Sequence, residues 1–441
     1  MSRDAAAPIR VAILGWGTIG CGVIRLFQER QRELSARLGH PIELARVVDI
    51  DLKRARPVKV AKSLLGNDAK QILGDPKIDV IVELMGGFEP ARRFLLEAIA
   101  NGKDVVTANK ALLAKHGPEL LDAAEKQSVG FGFEASVGGG IPIIRTLREG
   151  LAADRNRAVF GIVNGTSNYI LSTMASQGRS FDDVLADAQK EGLAEADPTY
   201  DVEGIDAGHK LAILAQLAFG VRLPVEDVHT EGIRHVDATD MAYAAELGYA
   251  IKLLAIAKDH GSAVEARVHP TMIPLEHPLA SVNGAFNAVC VQGDALGRSM
   301  YYGLGAGMMP TATAVVADVL DVARDRLGLG RPRLAPLGYG VASQRRTRIR
   351  PMGDVSCEYY LRLQVRDRPG VLARLAGDLG EHGISIASVV QRDRKSGGTV
   401  PIVIRTHEAR ERDLRKSLDR LRSRASVHGE PVAIRIEPNP G

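Results

Sequence analysis

The chain is predicted to be α/β: a doubly wound parallel sheet first, an α+β domain second, and a small βαββαβ module last. Three observations carry this. Short β-branched apolar runs alternate with helical stretches over the first 135 residues. The glycine-rich turn Gly15-Trp16-Gly17-Thr18-Ile19-Gly20 stands between the first strand and the first helix. From Cys357 onward the pattern is strand, turn, helix, strand, strand, helix, strand, the ferredoxin-like order.

Ile9-Arg10-Val11-Ala12-Ile13-Leu14 is apolar enough to be buried on both faces, as parallel strands are. A helix follows the glycine turn and runs to about Leu38, and Ile42–Val48 is the second strand, ending at Asp49. Residues 78–82 form the third, Asp104–Thr107 the fourth and 129–133 the fifth. Between them, Ala91–Ala100 and 118–126 are the clearest helices.

After Gly138-Gly139-Gly140 the texture changes. Strands are expected at 159–163, 266–269 and 289–293, with helices at 169–177, 181–191 and Ile205–Phe219. A long apolar helix at 311–327 should return to the first domain and close it. The run Arg345-Arg346-Thr347-Arg348-Ile349-Arg350-Pro351 reads as a solvated connector rather than a nucleic-acid patch, because no aromatic or repeat accompanies it. The last module places strands at 359–365, 384–391, 400–406 and 432–436, and helices at 371–382 and 409–423. The expected domains are thus 1–135 (completed by about 306–340), 136–305, a linker at 341–354, and 355–441.

Composition narrows the function. The chain has 441 residues, 45% hydrophobic and 25% charged, as ordinary globular proteins do. Only 4% are aromatic, and a net charge of +4 is small, so neither base stacking nor a polyanion partner is indicated. Cys21, Cys290 and Cys357 lie far apart, with neither metal spacing nor a disulfide framework. Residues 1–8 lack the apolar core of a signal peptide, and no run reaches the ~18 apolar residues of a membrane span. A cytoplasmic protein without membrane or nucleic-acid partners is expected.

The glycine turn has the context of a dinucleotide loop. Gly15 permits the tight turn, Gly17 lets backbone approach a pyrophosphate, and Gly20 lets helix and strand pack closely. Thr18 and Ile19 open the helix, whose free N–H groups suit phosphate. Asp49 ends the second strand, where an acid binds a ribose 2′-hydroxyl and favours NAD. It lies 29 residues after Gly20, later than the usual ~20, and Lys53 and Arg54 follow as alternative holders of a 2′-phosphate. The cofactor is therefore NAD or NADP, leaning to NAD. Thr107-Ala108-Asn109-Lys110 ends the fourth strand, at the sheet edge where ligands bind, and Lys110 there can donate to a substrate oxygen or be an ordinary surface lysine. Gly303-Leu304-Gly305-Ala306-Gly307 either closes over the cofactor or lets chain segments pass closely.

The densest chemistry lies in Asp197-Pro198-Thr199-Tyr200-Asp201-Val202-Glu203-Gly204-Ile205-Asp206-Ala207-Gly208-His209-Lys210. Asp206 and Lys210 are four apart and share one helix face, with Glu195, Asp197, Asp201 and Glu203 just before. Such acids around a lysine exchange protons with a small polar substrate, or form an acidic helix start with an ordinary ion pair. His209 points roughly 100° away and reads as structural. Cys21 reads as a small packing residue. Asn164-Gly165-Thr166-Ser167-Asn168-Tyr169 reads as a helix cap. Glu134-Ala135-Ser136-Val137-Gly138-Gly139-Gly140-Ile141-Pro142 is a hinge, or a set of splayed carbonyls able to coordinate a monovalent cation.

In this order, these motifs resemble homoserine dehydrogenases that carry a C-terminal ACT domain, over essentially the whole length. Asp367-Arg368-Pro369-Gly370-Val371-Leu372 resembles the ligand-binding turn of ACT domains. The resemblance implies a Rossmann-type first domain, a catalytic and oligomerisation domain, and reversible NAD(P)-dependent oxidation of L-homoserine to L-aspartate 4-semialdehyde. It makes Lys210 the acid/base, assisted by Lys110 and held by Asp206. Asp201 and Glu195 would bind substrate, Glu195 through the α-amino group, with Gly165 and Thr166 lining the pocket. Gly15, Gly17, Thr18, Ile19, Gly20, Asp49, Thr107, Lys110 and Gly305 would serve the cofactor. Glu134, Val137, Gly139 and Ile141 would hold Na+ or K+, largely through carbonyls. Leu193 departs from many relatives, which place an aromatic there, and this puts a tyrosine contact in doubt. Feedback by threonine and a homodimer or homotetramer are further implications. A cofactor-sensing regulator without turnover would not need Glu195, Asp206 and Lys210. Hydroxy-acid dehydrogenases rely on a histidine–acid pair and arginine that no motif here supplies.

Overall fold

The computed structural model describes residues 7–328, 334–340, 343–392 and 398–438. Most of the N-terminal segment 1–8, the start of the expected linker (341–342) and the segment 329–333 lie outside the described residues. The chain divides into two compact units. One comprises Met1–Asn156, Ala212–Val225 and Gly293–Arg346, the other Arg157–Leu211, Glu226–Gln292 and Thr347–Gly441.

In the first unit, six strands form one sheet: β1 (Ile9–Leu14), β2 (Ile42–Val48), β3 (Leu65–Gly66), β4 (Val80–Glu83), β5 (Asp104–Thr107) and β6 (Phe131–Gly132). Their order is β3-β2-β1-β4-β5-β6, every pair parallel, with Val11 opposite Val80 and Val82 opposite Val106. The strand order reverses between β1 and β4, the place where such sheets bind ligands. β1, β4 and β5 are almost wholly buried, so helices must cover both faces. Helices Thr18–Leu38 and Met308–Arg326 build one cover, joining Val23 and Phe27 to Val315 and Val319 in a single core. At their crossing a side chain on Gly22 would meet the Ala312 Cβ at 2.7 Å. The long late helix therefore packs within this unit.

Several boundaries differ from expectation. The two-residue edge strand β3 was not foreseen, being too short to show a period. The strand expected at 78–82 starts at Val80, and that expected at 129–133 keeps only β6. The helix expected at 118–126 runs over Lys110–Gln127 with Pro118 inside it. Asn109 sets this earlier start, since its side chain accepts from the Leu112 amide and caps the helix.

In the second unit, strands Phe286–Gly293, Asn156–Ile162, Tyr249–Asp259 and Ala263–Pro274 lie side by side. Tyr249–Asp259, unforeseen, pairs antiparallel with Ala263–Pro274 along its length. The C-terminal module has the expected element order, with strands Val427–Ile436, Ser356–Arg366, Thr399–Thr406 and Ile386–Val390 in that lateral sequence. Helices Val371–Glu381 and Glu411–Arg422 cover one face, their Leu375, Leu379, Leu414 and Leu418 closing over Leu361, Leu363 and Ile404.

The module is not a tethered bead. Its last strand pairs in parallel with Ala263–Pro274, Thr271 opposite Arg435 and Met272 opposite Ile436. Arg362 is buried with Asp240, bonded at 2.7 and 3.0 Å. The basic run is also less free than expected, since Arg348 and Ile349 pair with Ala263 and Val264. Backbone bonding between residues so far apart has no local sequence pattern, so the run itself does not announce this pairing.

Candidate active site

The lysine of the acidic stretch is held by its own backbone geometry. The short helix Thr199–Val202 is capped by Glu203, and Gly204, with φ of 76°, makes the sharp turn into the helix Ile205–Phe219. Asp206 falls in the first turn, where a carboxylate is favoured by the helix dipole. Lys210 stands one turn on. Its Nζ donates to Asp206 Oδ2 at 2.6 Å and to the Val163 carbonyl at 2.6 Å, and the residue is only 8% exposed.

Asn164 completes the cluster. It caps the helix Gly165–Gln177, its Oδ1 accepting from the Ser167 amide at 2.8 Å. Its Nδ2 lies 2.7 Å from Asp201 Oδ1 and 2.9 Å from Asp206 Oδ2. One amide thus serves both the cap and the two acids. The cap was legible in the sequence; the bridge, which joins residues some forty positions apart, was not. Two carboxylates are thus gathered around one ammonium. Tyr200 was also missed. Its hydroxyl meets His209 Nδ1, and burial, with the Asp206 and Asp201 charges, pushes it up to about 12, so it is a neutral phenol at physiological pH. His209, read as structural, is that phenol's partner.

The other expected substrate residues are less close-knit. Thr166 Oγ1 donates to the Leu193 carbonyl at 3.0 Å. Gly165 lies against the Ala285 carbonyl, which an added Cβ would meet at 2.8 Å. Glu195 is exposed, and Gln189 holds its main-chain carbonyl at 3.1 Å.

In the first unit, the glycine turn behaves as its spacing requires. Gly15 has φ 105°, and a side chain there would strike the Leu84 carbonyl at 2.7 Å. A Cβ on Gly20 would meet the Gly15 carbonyl at 2.3 Å, while one on Gly17 would meet nothing within 4 Å. Open space at Gly17 is what a phosphate needs. The helix beginning at Thr18 and Ile19 has no acid in its first turn and no side-chain cap, so its N–H groups stay available.

Asp49 accepts from the Trp16 amide at 2.6 Å and lies 3.2 Å from Arg56 Nη2. Arg56 stacks over the Trp16 ring, 4.3 Å from its centre, and donates to the Trp16 carbonyl at 2.6 Å. Lys53 and Arg54, the bases expected here, are exposed; Arg56 is the one beside the acid. Thr107 is buried, its hydroxyl donating to Glu83 at 2.6 Å and accepting from the Asn109 amide at 3.0 Å. Glu83 also accepts from the Met85 and Gly86 amides, so this unforeseen acid organises the carboxyl edge of β4 and β5. Its burial raises its carboxyl above the ordinary range, against those bonds. Lys110 opens the next helix, half-buried, beside Asn109, whose Nδ2 donates to the Gly87 carbonyl at 2.7 Å.

The Glu134 carboxylate is engaged by the Ile144 and Arg145 amides at 2.8 and 2.9 Å. Its amide donates to Asp318 Oδ2 at 2.7 Å, and burial plus the Glu134 charge pushes the Asp318 carboxyl up to about 7. Gly138 and Gly139 take φ of 71° and 53°, and Gly139 sits so close to the Gly305 carbonyl that a Cβ would meet it at 2.5 Å. Among the described residues no group of three or more His, Cys, Asp or Glu side chains is arranged to hold a metal. No helix there is long and apolar enough to cross a membrane.

The family model described as homoserine dehydrogenase matches residues 142–320, its NAD binding domain 15–134, and the ACT domain 359–425. The homoserine dehydrogenase of Pseudomonas aeruginosa is 45% identical over 432 residues, covering 98% of this chain and 99% of that one. That of Corynebacterium glutamicum is 44% identical, covering 99% and 97%. The crystal structure of a homoserine dehydrogenase from Thiobacillus denitrificans superposes with a TM-score of 0.92 at 46% identity, covering 98% of each chain. A hyperthermophilic archaeal homoserine dehydrogenase in complex with NADPH superposes at 0.61 with 26% identity, covering 74% of this chain and 100% of that one. The chain therefore belongs to the homoserine dehydrogenases, nicotinamide-dependent oxidoreductases that interconvert L-homoserine and L-aspartate 4-semialdehyde, in the form that carries a C-terminal ACT domain.

Proposed function

We propose that Lys210 is the acid/base of this reaction. The observation that carries the reading is the buried ammonium at 2.6 Å from Asp206, with Asp201 tied in through Asn164. A nicotinamide cofactor, when bound, would supply the hydride toward homoserine and accept it in reverse. As charge grows on the aldehyde oxygen, the Lys210 ammonium stabilises it and gives up a proton; in oxidation the neutral amine takes the hydroxyl proton. Asp206 positions Lys210, Asp201 and Glu195 receive the substrate's ammonium, Gly165 and Thr166 line the pocket, and Lys110 assists the proton transfer. Leu193 supplies no hydroxyl to that pocket.

Cofactor binding is assigned to Gly15, Gly17, Thr18, Ile19 and Gly20, with Thr107, Lys110 and Gly305. Asp49 would take the ribose hydroxyls of NAD. Arg56, stacked beside it, would take the 2′-phosphate of NADP. Both cofactors should then serve, and the archaeal relative holds NADPH. A monovalent cation, Na+ or K+, fits through the main-chain oxygens of Glu134, Val137, Gly139 and Ile141 rather than through the Glu134 carboxylate, which is already engaged. It would stiffen the glycine hinge.

Threonine is the proposed effector, read by the ACT domain, where Gly370 (φ 82°) turns Asp367-Arg368-Pro369-Gly370 into the helix Val371–Glu381. A homodimer or homotetramer is supported by the strand Arg298–Leu304, which exposes Met300, Tyr302 and Leu304 at alternate positions. A cytoplasmic location suits this biosynthetic step. The test is a kinetic panel: homoserine with NAD and with NADP, each with and without threonine. Absence of homoserine-dependent reduction with either cofactor would overturn the reading.

A further inference from the structure

The basic run of the connector acquires a specific place. Arg348 and Ile349 pair with Ala263 and Val264, and the Arg350 amide donates to the Val264 carbonyl at 2.8 Å. The antiparallel pairing of Ser356 and Cys357 with Arg410 and Ala409 brings the start of the helix Glu411–Arg422 to the same spot. A cavity of about 430 Å³ opens there, lined by His260, Arg348, Arg350, Asp354, Arg410 and Arg412.

Four guanidiniums face one carboxylate in that lining, an excess of three positive charges. Asp354 is shared, with Oδ1 at 3.1 Å from Arg412 and Oδ2 at 3.9 Å from Arg348. Glu265, behind Arg350 at 3.6 Å, is already bonded to the buried Arg267 at 2.7 Å. Among the described residues, no carboxylate lies within 4.0 Å of Arg410. Like charges gathered round a concave space repel one another and raise the local positive potential. Guanidinium forks match phosphate oxygens two at a time.

We propose that this cavity binds a small phosphate-bearing anion of the di- or triphosphate kind. Such an anion cross-links the strand Arg348–Ile349 to the first turn of the helix Glu411–Arg422. An extended nucleic acid would not be enclosed by so small a cavity, and the chain offers few aromatics to stack on it.

The test is calorimetric titration of the full chain, saturated with NAD, at about 0.15 M salt. The probes are pyrophosphate, ATP and citrate. The expected result is saturable binding of one pyrophosphate or ATP per chain, weakened at least about tenfold in the double variant Arg348→Ser, Arg410→Ser. Tighter pyrophosphate points to an inorganic ligand, tighter ATP to a nucleotide. Arg374→Ser, on an exposed face of the same module, should leave the binding unchanged. Both substituted arginines are exposed, so the double variant should keep its melting temperature without ligand and its rate of homoserine oxidation. The proposal is overturned by no saturable binding, by equal affinity in the double variant, by citrate binding as tightly as pyrophosphate, or by a short oligonucleotide displacing pyrophosphate at lower concentration.

Discussion

Arg435 grips Glu231 through two parallel bonds, Nη1 to Oε2 at 2.7 Å and Nη2 to Oε1 at 2.8 Å. The same guanidinium holds Glu411 at 2.8 and 2.6 Å, and Tyr359 donates to Glu411 at 2.9 Å. The ACT domain and the strands of the second unit are thus joined by charge as well as by a shared sheet. Burial alone would raise both carboxyls. For Glu231 the bonds from His229 and Arg435 win, and for Glu411 those from Arg435 and Arg415, so both lie below the ordinary range. Depressed carboxyls contribute stability above their unfolded pKa of about 4.3, and lose it as pH falls below that. Arg435→Met leaves both acids without their main partner and should cost about 3 kcal/mol at pH 7. Their pKa values would then rise, so acidification from pH 7 to 5 should stabilise the variant while leaving the parent flat or weaker. Urea unfolding at the two pH values reads this, and a parent-like pH dependence in the variant would contradict the account.

Lys210 and Asn164 should separate chemistry from positioning. Lys210→Ala removes the proposed proton carrier and should lower kcat by about 10²–10⁴-fold with a modest change in KM. Asn164→Ala keeps the lysine but frees Asp201 from Asp206 and uncaps the helix Gly165–Gln177, so a fall of about tenfold in kcat/KM is expected, with some loss of stability. Steady-state rates with homoserine check both. A Lys210→Ala enzyme with near-normal turnover would remove the acid/base assignment.

The candidate site residues were unequally legible. The helix Ile205–Phe219 and the pair Asp206/Lys210 follow from a local spacing of four, and the structure keeps that pair at 2.6 Å. The glycine turn likewise carries its geometry in three positions. What escaped was every relationship that only tertiary structure creates. Glu83 looks like the polar end of a strand, yet it gathers Thr107, Met85 and Gly86. Arg56 lies in an irregular loop, seven residues beyond Asp49, with no period to mark it. Met272 and Ile436 pair across 164 residues (436 − 272), and no sequence pattern announces which strand will meet which edge. That single pairing turns an expected tethered module into part of the sheet.

Arg56 should decide cofactor breadth. Its guanidinium is nearly buried over Trp16 and beside Asp49, so Arg56→Ala removes the positive charge nearest the expected 2′-phosphate. The KM for NADP should rise about tenfold while that for NAD stays within about twofold, since a charge-assisted bond contributes roughly 1.5–3 kcal/mol. Equal losses with both cofactors would assign Arg56 to holding the Trp16 turn instead.

Lys252 offers a pH signature. It is 3% exposed and donates to the Val282 carbonyl at 2.6 Å and to Asn283 Oδ1 at 2.9 Å, and burial pushes it down to about 8. A lysine depressed in the fold binds fewer protons folded than unfolded between pH 8 and about 10.4, so stability from this group rises with pH across that window. Below pH 8 both states are charged and the burial cost is present in full. Lys252→Met abolishes this rise, and the difference between parent and variant in chemical unfolding should therefore narrow or widen only between pH 8 and 10, in favour of the parent as pH increases. The same substitution loosens the loop at Val282–Gly284, which Asn168 also holds through the Val282 and Gly284 carbonyls at 3.1 and 2.9 Å. Because the neighbouring Ala285 carbonyl lies against Gly165, the KM for homoserine should rise severalfold with little change in kcat. A variant whose stability difference from the parent stays constant from pH 7 to 10 would show that Lys252 keeps its proton throughout.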